Sequence, residues 1–193
     1  LIDHAWGWEP CTIEAIKAYR PESSSLGSGQ VLQYPYTYEK ARIVVREMAD
    51  ALSLDLFSRH FVTDQLVLTI GYDIDNLSDP ARRSAYHGEV TMDRYGRKVP
   101  RHGHGTIHLT DFTSSSAEII EAAMTLYDRI TSPALLIRRL NLSADHVIPK
   151  DQVKKEETYE QLSLFSDPSK EEAEKIQREA SRERERRLQT AML

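Results

Sequence analysis

Three histidines at even-numbered spacing are the residues whose positions most directly suggest chemistry. His102, His104 and His108 fall on one side of an extended strand, because side chains two residues apart point to the same face of a sheet. Imidazoles that share a face can ligate zinc. No carboxylate or cysteine companion is evident beside them, and an exposed polar sheet face explains the same pattern. A zinc-dependent enzyme therefore stays an alternative, which metal analysis of the purified protein would decide.

Two groups of basic residues could instead contact phosphates. Residues 94–101 are rich in arginine and include Lys98 and Arg101, and a second group consists of Arg138 and Arg139. Such cations form charge-assisted hydrogen bonds with phosphate oxygens. Neighbouring side chains leave opposite faces of a strand, so only one of Arg138 and Arg139 is expected on a given face unless a bulge intervenes. Both groups could equally be solvated surface charge.

A short apolar segment lies within the polar C-terminal stretch. It consists of Gln161, Leu162, Ser163, Leu164 and Phe165. Because so polar a stretch cannot bury its own apolar side chains, a groove on a partner protein is their predicted destination. The pentapeptide resembles the motif by which bacterial DNA polymerases and repair proteins bind the sliding clamp, with Gln161 as polar anchor and Leu164 and Phe165 filling pockets. A chance apolar cluster in a disordered tail is the alternative.

The composition narrows the class of protein. The sequence has 193 residues and a formal net charge of -5, and acidic residues slightly outnumber basic ones both in residues 1–150 and in residues 151–193. Any nucleic-acid contact must therefore come from a local patch. No apolar run approaches the roughly 18 residues that span a bilayer, and no signal peptide is evident, so a soluble cytoplasmic protein is expected. With Cys11 as the single cysteine, an internal disulfide framework is excluded.

Hydrophobic periodicity predicts the elements that position these residues. Helices are predicted at residues 37–56 and 114–130, where apolar residues recur at helical spacing behind Thr or Ser caps. Strands are predicted around residues 30–32 and at 65–72, 103–111 and 135–142. Residues 73–100 are predicted to be a long loop or a hairpin excursion. The order strand, helix, strand, strand, helix, strand predicts an α+β fold with two helices on one face of a four-stranded sheet.

The face of this sheet that the helices leave uncovered is predicted to be polar. Its members by alternation are Gln65, Thr69, His102, His104, Thr106 and His108. Residues 1–20 are predicted to be the helical end of a preceding domain, so that the chain is expected to be part of a longer protein. The charged tail after residue 168 is expected to be a solvated helix or, more simply, a disordered end, since it has no apolar stripe.

The chain resembles the C-terminal part of a Y-family translesion DNA polymerase, with the UmuC-like enzymes of Gram-positive bacteria as the nearest subgroup. The resemblance is carried by Arg-Pro-Glu-Ser-Ser-Ser-Leu-Gly-Ser-Gly at 20–29, Tyr-Gly-Arg-Lys-Val-Pro at 95–100, Ile-Arg-Arg-Leu-Asn-Leu at 137–142, the two-helix sheet and the clamp motif. It implies four parts: the end of a thumb domain (1–20), a tether and first strand (21–36), the remainder of a little-finger domain (37–148) and a tail (149–193).

The resemblance also implies a function in DNA repair and damage tolerance. The little finger would hold the backbone of primer-template DNA with little sequence preference, and the tail would bind the sliding clamp. The polymerising carboxylates of the family lie in a palm domain that this chain lacks. The fragment is therefore not expected to be an enzyme or to need a cofactor, although Mg²⁺ is implied for the parent polymerase.

The DNA contacts that the resemblance and the open sheet face suggest are small, polar or basic. They are Ser24, Ser25, Gly27, Ser28, Lys98, Arg101, His102, His104, Thr106, Arg138 and Arg139. Small residues let backbone N–H groups approach phosphates closely, and arginines add charge. Asn141 stands where the family more often has Gly, which leaves the local backbone shape open. The alternative function is a non-polymerase adaptor that docks on the clamp and binds a protein on its open sheet.

Overall fold

The fold is that of a computed structural model, which describes residues 6–7, 11–19, 24–153, 177, 180–184 and 187–191. Helix α1 (Ile13–Ala18) precedes strand β1 (Leu26–Tyr36), helix α2 (Tyr38–Ser58) and strand β2 (Phe61–Tyr72). Short helices α3 (Asp75–Ser78) and α4 (Pro80–Ala85) lead to strands β3 (Val90–Met92) and β4 (Lys98–Pro100). The following elements are strand β5 (Gly103–Thr113), helix α5 (Ser116–Ile130), strand β6 (Ile137–Asp145), strand β7 (Ile148–Pro149) and a 3₁₀ turn (Lys150–Gln152).

The main sheet has the spatial order β1, β6, β2, β5, and all its pairings are antiparallel. The short β7 pairs with the start of β2, where Phe61 lies opposite Pro149. Helices α2 and α5 contact each other and pack on the same face of the sheet. The predicted α+β fold is thus confirmed, and β7 adds a short strand that the sequence did not predict.

Helix α2 forms where the apolar spacing predicted it. Ala41, Val45, Met48 and Leu52 are all buried along one side of the helix. Thr37 occupies the N-cap position with an extended backbone, but its side chain makes no capping hydrogen bond. The helix ends at Ser58, two residues beyond the predicted end. Burial of this apolar side, rather than the cap, is therefore what holds the helix in place.

Helix α5 has a complete N-cap. The Ser115 hydroxyl accepts a hydrogen bond from the backbone N–H of Glu118 at 3.4 Å, so it satisfies a donor that the first helical turn leaves unpaired. The helix ends at Ile130, before Pro133. Its buried side chains include Ile119, Leu126 and Tyr127, which face the apolar side of the sheet.

The core lies between the helices and one face of the sheet. Leu66, Leu68 and Ile70 of β2 are fully buried there. Gly105 of β5 lets α5 approach closely, because a Cβ at this position would lie 2.8 Å from Cγ2 of Ile130. Small residues at such contacts allow helix and sheet to pack at native density.

A polar cluster joins α2 to α5 at the edge of the core. Arg42 donates from Nε and Nη2 to the two carboxylate oxygens of Asp128 at 2.9 and 3.0 Å, and the Tyr38 hydroxyl donates to Asp128 at 2.5 Å. The Arg42 guanidinium holds the pKa of the Asp128 carboxyl below its usual range. The Tyr127 hydroxyl donates to the Tyr38 carbonyl at 2.8 Å. These bonds fix how the two helices lie relative to each other.

Residues 73–100 form the predicted hairpin excursion, with α3 and α4 in front of the β3–β4 hairpin. Asn76 is 1% exposed and joins this excursion to the segment before β6. Its Nδ2 donates to the carbonyls of Asp73 and Leu136, and its Oδ1 accepts from the Leu136 N–H. A buried amide with all these partners is a stable attachment point for the excursion.

The two ends of the chain contain further helical residues. Residues 13–18 form α1, on which Ile13, Ile16 and Tyr19 next to it are exposed. Residues 180–184 and 187–191 are helical as well, which is one of the two expectations for the tail.

In the part of the chain that the structure describes, no helix is both long and apolar enough to cross a membrane. The four-part domain division stays a prediction.

Candidate nucleic-acid interface

The uncovered face of the sheet consists of four rows of side chains that follow from the strand registers. The rows are Val31–Arg139–Gly71, Gly29–Asn141–Thr69–His104, Gly27–Ser143–Val67–Thr106 and Asp145–Gln65–His108. The opposite side of the same strands carries the buried leucines and isoleucines. The uncovered face is therefore built mainly from glycine and small or polar residues, with Arg139 and Asp145 as its charged side chains.

Glycine makes the β1 side of this face shallow. A Cβ on Gly27 would lie 2.7 Å from the Cβ of Ser143 and 2.8 Å from the Leu142 carbonyl oxygen, so a larger residue requires the strands to move. Because β1 is an edge strand, some of its backbone N–H groups point away from β6. A ligand can approach that backbone closely, as the small residues of this segment led us to expect.

A β-bulge determines what the two neighbouring arginines do. Gly71 lies opposite Arg139 and Tyr72 lies opposite Ile137, so Arg138 is the extra residue on β6. The side chain of Arg138 bonds within the protein. Its Nη1 donates to the Gln33 carbonyl at 2.9 Å, and its Nε lies 3.7 Å from Oδ2 of Asp73.

Arg139, by contrast, is exposed on the uncovered face and makes no hydrogen bond or ion pair with any other described residue. Only one of the pair thus presents a free guanidinium on that face, and the reason is the bulge and the contacts of Arg138 rather than simple strand alternation. Asn141 continues the regular strand, since it pairs with Gly29 on one side and with Thr69 on the other.

A groove of about 690 Å³ runs between this end of the sheet and the β3–β4 hairpin. Its basic lining residues are Arg94, Arg97, Arg138 and Arg139, and its acidic ones are Asp73, Asp75 and Asp93. Two of the three acids are paired with arginines: Asp93 with Arg97, and Asp73 with Arg138, whereas the exposed carboxylate of Asp75 forms no ion pair with a described residue. The arginines of the groove without an acidic partner among the described residues are Arg139 and Arg94, so the groove keeps an excess of about one positive charge over Asp75.

The tip of the hairpin is a preformed turn. Oδ1 of Asp93 accepts from the N–H groups of Tyr95 and Arg97, and Oδ2 accepts from the Arg97 guanidinium at 2.7 and 2.8 Å. Gly96 adopts a φ of 74°, which glycine tolerates without strain. These bonds from Arg97 lower the pKa of the Asp93 carboxyl to about 2. Arg94 and Arg97 both stack on the Tyr95 ring, 4.8 and 5.1 Å from its centroid.

The other predicted basic contacts differ in availability. Lys98 is exposed at the start of β4, where its backbone pairs with Met92, and its side chain makes no hydrogen bond or ion pair with another described residue. Arg101 forms an ion pair with Glu89, with Nη1 2.6 Å from Oε2. Its charge is therefore partly neutralised within the protein and is less available to a phosphate than that of Lys98. Sequence reasoning identified the basic stretch but not the acidic partners of Arg97 and Arg101; for Arg97 the i, i+4 spacing from Asp93 was a readable signal.

The predicted histidines and threonine lie where alternation placed them. His104 and Thr106 are on the uncovered face, and Nδ1 of His104 is 2.9 Å from the Thr69 hydroxyl. His102 precedes β5, lines the groove and meets His104 edge-on, with ring centroids 6.4 Å apart. Within the described residues, no group of three or more potential ligands could hold a metal ion. The histidines and Thr106 add polar side chains to this face and to the groove beside it.

The serines that were predicted to contact DNA do not all lie on the uncovered face with the glycines of β1. Ser24 and Ser25 are exposed just before β1, and the Ser24 carbonyl accepts from the Val147 N–H. Ser28 lies opposite the core residue Leu142. Its side chain therefore projects on the helix-covered side of the edge strand and not on the uncovered face. The clamp motif at residues 161–165 lies outside the described residues.

The solved structures that resemble the chain include the insertion ternary complex of Dbh DNA polymerase, with a TM-score of 0.43 and 9% identity, covering 69% of this chain and 33% of that one. They also include the complex of the beta-clamp processivity factor with the little finger domain of PolIV, with a TM-score of 0.40 and 9% identity, covering 74% of this chain and 100% of that one. The chain thus spans about a third of the length of the Dbh chain. No curated protein matches the sequence.

A family match gives the firmer result. Residues 23–164 match the model described as the impB/mucB/samB family C-terminal domain. This range contains β1 to β7, the groove and all but the last residue of the clamp motif. It confirms the resemblance at the level of the family, while the Gram-positive UmuC-like subgroup stays a prediction. Because the matched residues make up most of the sequence, the chain belongs to the impB/mucB/samB family and contains its C-terminal domain.

Proposed function

We propose that this chain is the DNA-binding and clamp-tethering part of an error-prone translesion DNA polymerase. The observation that carries the proposal is the uncovered sheet face, where small residues surround the free guanidinium of Arg139 at the mouth of a groove. Membership of the family supports it. In this role the chain serves DNA repair and damage tolerance in the cytoplasm, including the SOS response.

The proposed binding mode is contact with the DNA backbone. Arg139 and Lys98 supply positive charge, and the glycines of β1 let the duplex approach the edge of the sheet. Phosphate contacts of this kind position a protein on DNA without reading the base sequence. Tolerance of damaged bases follows, because no base edge has to be recognised.

The affinity of the chain alone is expected to be modest. Its formal net charge is -5, and several of its arginines are paired with acids. Binding therefore depends on a few phosphate contacts, and each one lost changes the slope of log K against log salt by about 0.9 for duplex DNA. Polymerisation belongs to a palm domain in the parent protein, where carboxylates would hold Mg²⁺.

Charge reversal on the two faces of the domain tests the DNA-binding part. Arg139→Glu changes the open face, and Arg46→Glu makes the same change on helix α2, on the covered side of the sheet. We expect Arg139→Glu to weaken binding of a fluorescent primer-template by about tenfold at low salt, while Arg46→Glu stays near wild type. Equal losses for both variants, or no loss for either, would refute a specific DNA-binding face.

Alanine substitutions in the tail test the clamp part. Changing Gln161, Leu164 and Phe165 together should abolish the micromolar-range binding that is typical of short docked peptides. The matched control changes Thr158, Ser166 and Ser169 to alanine, which leaves the motif intact. A wild-type chain that does not bind the clamp, or a control that loses binding equally, rejects the motif assignment. DNA binding by the same proteins then shows whether the little-finger role stands alone.

A further inference from the structure

The described C-terminal residues contact one corner of the folded domain. This docking corner consists of Asp111, Ser114, Ser116 and Glu118, where β5 turns into α5. The C-terminal segment is defined as helical residues 180–184 and 187–191. Its contacts with the docking corner include hydrogen bonds from the side chains of Arg182 and Gln189.

Gln189 is the more deeply buried of the two, at 3% exposure. Its Nε2 donates to the Ser114 carbonyl at 3.3 Å and lies 3.0 Å from the Ser116 hydroxyl oxygen. The Ser116 hydroxyl is in turn 2.6 Å from the hydroxyl of Ser53, a fully buried residue that donates to the Asp50 carbonyl. Burying a primary amide is costly unless it is hydrogen-bonded, and here it ends a chain of buried polar groups.

Arg182 adds the electrostatic part of the contact. Its Nε donates to Oε1 of Glu118 at 2.8 Å, and its Nη2 lies 3.4 Å from Oδ2 of Asp111. Arg182 and Gln189 both reach the docking corner, Arg182 through Glu118 and Asp111 and Gln189 through Ser114 and Ser116. A tail without an apolar stripe thus docks through hydrogen bonds and charge.

We propose that the docking corner is an intramolecular binding site for the C-terminal segment and that the docked segment restrains the clamp motif. The second half of this inference rests on the proposed function. Residues 154–179 contain the motif and connect Val153 to the docked segment, so docking attaches the motif to the domain at both ends. A chain held at both ends has access to fewer of the extended conformations that a peptide in a groove adopts.

The corner and the DNA groove are at opposite ends of the sheet. Thr63 of β2 pairs with Thr113 directly before Ser114, whereas Gly71 of the same strand pairs with Arg139. Eight residues of strand separate the two, a length of roughly 26 Å. Docking therefore leaves the groove uncovered, and release of the segment changes clamp binding without changing DNA binding.

Charge reversals in the full chain test the docking. Arg182→Glu places a carboxylate against Glu118 and Asp111, and Arg184→Glu makes the same change at an exposed position of the segment that forms no ion pair with another described residue. We expect Arg182→Glu to speed amide hydrogen exchange in residues 187–191 by about tenfold, with Arg184→Glu close to wild type. Adding Glu118→Arg to Arg182→Glu should restore protection. Equal exchange in wild type and both single variants would overturn the docking.

Clamp affinity, measured on the same variants, tests the restraint. If docking keeps most molecules in the restrained state, Arg182→Glu should tighten clamp binding by about fivefold, and the Glu118→Arg rescue should reverse the gain. Faster exchange with unchanged or weaker clamp binding would overturn the restraint while leaving the docking intact. If no variant binds the clamp, the restraint is rejected together with the clamp part of the proposed function, and hydrogen exchange still decides whether the segment docks.

Discussion

Arg138 and Arg139 are neighbours in sequence, yet the structure gives them separate roles that alanine substitution can distinguish. Arg138 bonds to the Gln33 carbonyl and lies beside Asp73, whereas Arg139 is exposed and unpaired among the described residues. The Arg138→Ala variant should therefore lose stability, and the Arg139→Ala variant should lose DNA affinity.

The size of each effect follows from the contacts. Arg138→Ala removes one hydrogen bond, which contributes about 1 kcal/mol. It also removes an ion pair with an N–O distance of 3.7 Å. Because the Arg138 side chain is 37% exposed, this ion pair contributes at most about 1 kcal/mol. A total near 1–2 kcal/mol corresponds to a fall in Tm of roughly 3–7 °C. Arg139→Ala should change stability by less than about 0.5 kcal/mol.

Two assays complete the comparison. Thermal unfolding by circular dichroism gives the change in Tm, and fluorescence anisotropy with primer-template DNA across a salt series gives affinity and salt slope. Arg139→Ala should reduce the slope by about 0.9 and low-salt affinity several-fold, and Arg138→Ala should nearly preserve the slope well below its Tm. The reasoning fails if Arg139→Ala lowers Tm as much as Arg138→Ala, or if Arg138→Ala reduces the slope equally.

Three further predictions concern the hairpin and the core. The pKa of Asp93 in the folded chain is about 2, below its ordinary value of 3.8. The carboxylate of Asp93 therefore stabilises the turn fully above pH 3.8, and this stabilisation is lost as the pH falls through 2. Hydrogen exchange at the Arg97 amide should show this loss. Gly105→Val would force a side chain into Ile130, and denaturant unfolding should show a loss of about 2 kcal/mol. Tyr127→Phe should cost about 1 kcal/mol in thermal unfolding, since it removes the hydrogen bond that the Tyr127 hydroxyl donates to the Tyr38 carbonyl of α2; an unchanged Tm would contradict this contact.

Local patterns in the sequence were sufficient to predict most elements. The apolar spacing from Ala41 to Leu52 predicts α2, and the serines before Ile119 predict the cap of α5, because both signals act within a few residues. Alternation in β5 places His104 and Thr106 together, since the period of a strand is two. These assignments depend on spacing within one segment and not on which strands pair, so they could be made without knowing the partner strands.

Long-range pairing is what the sequence did not reveal. The bulge at Arg138 depends on how β6 pairs with β2, and this register is set by contacts between residues far apart in the chain. The same holds for Ser28, whose side is determined by its pairing with Leu142. Gln189 lacks an apolar neighbour pattern that would mark it as buried, because hydrogen bonds rather than hydrophobic burial place it.

The most direct test of the account is an amide-resolved NMR titration of the isotope-labelled chain with primer-template DNA. If the uncovered face binds the DNA backbone, chemical shifts should change along residues 27–31 of β1, residues 139–143 of β6 and at His104, with little change in α2 and α5. Changes confined to α2 and α5, or no changes with DNA in large excess at low salt, would contradict the central claim.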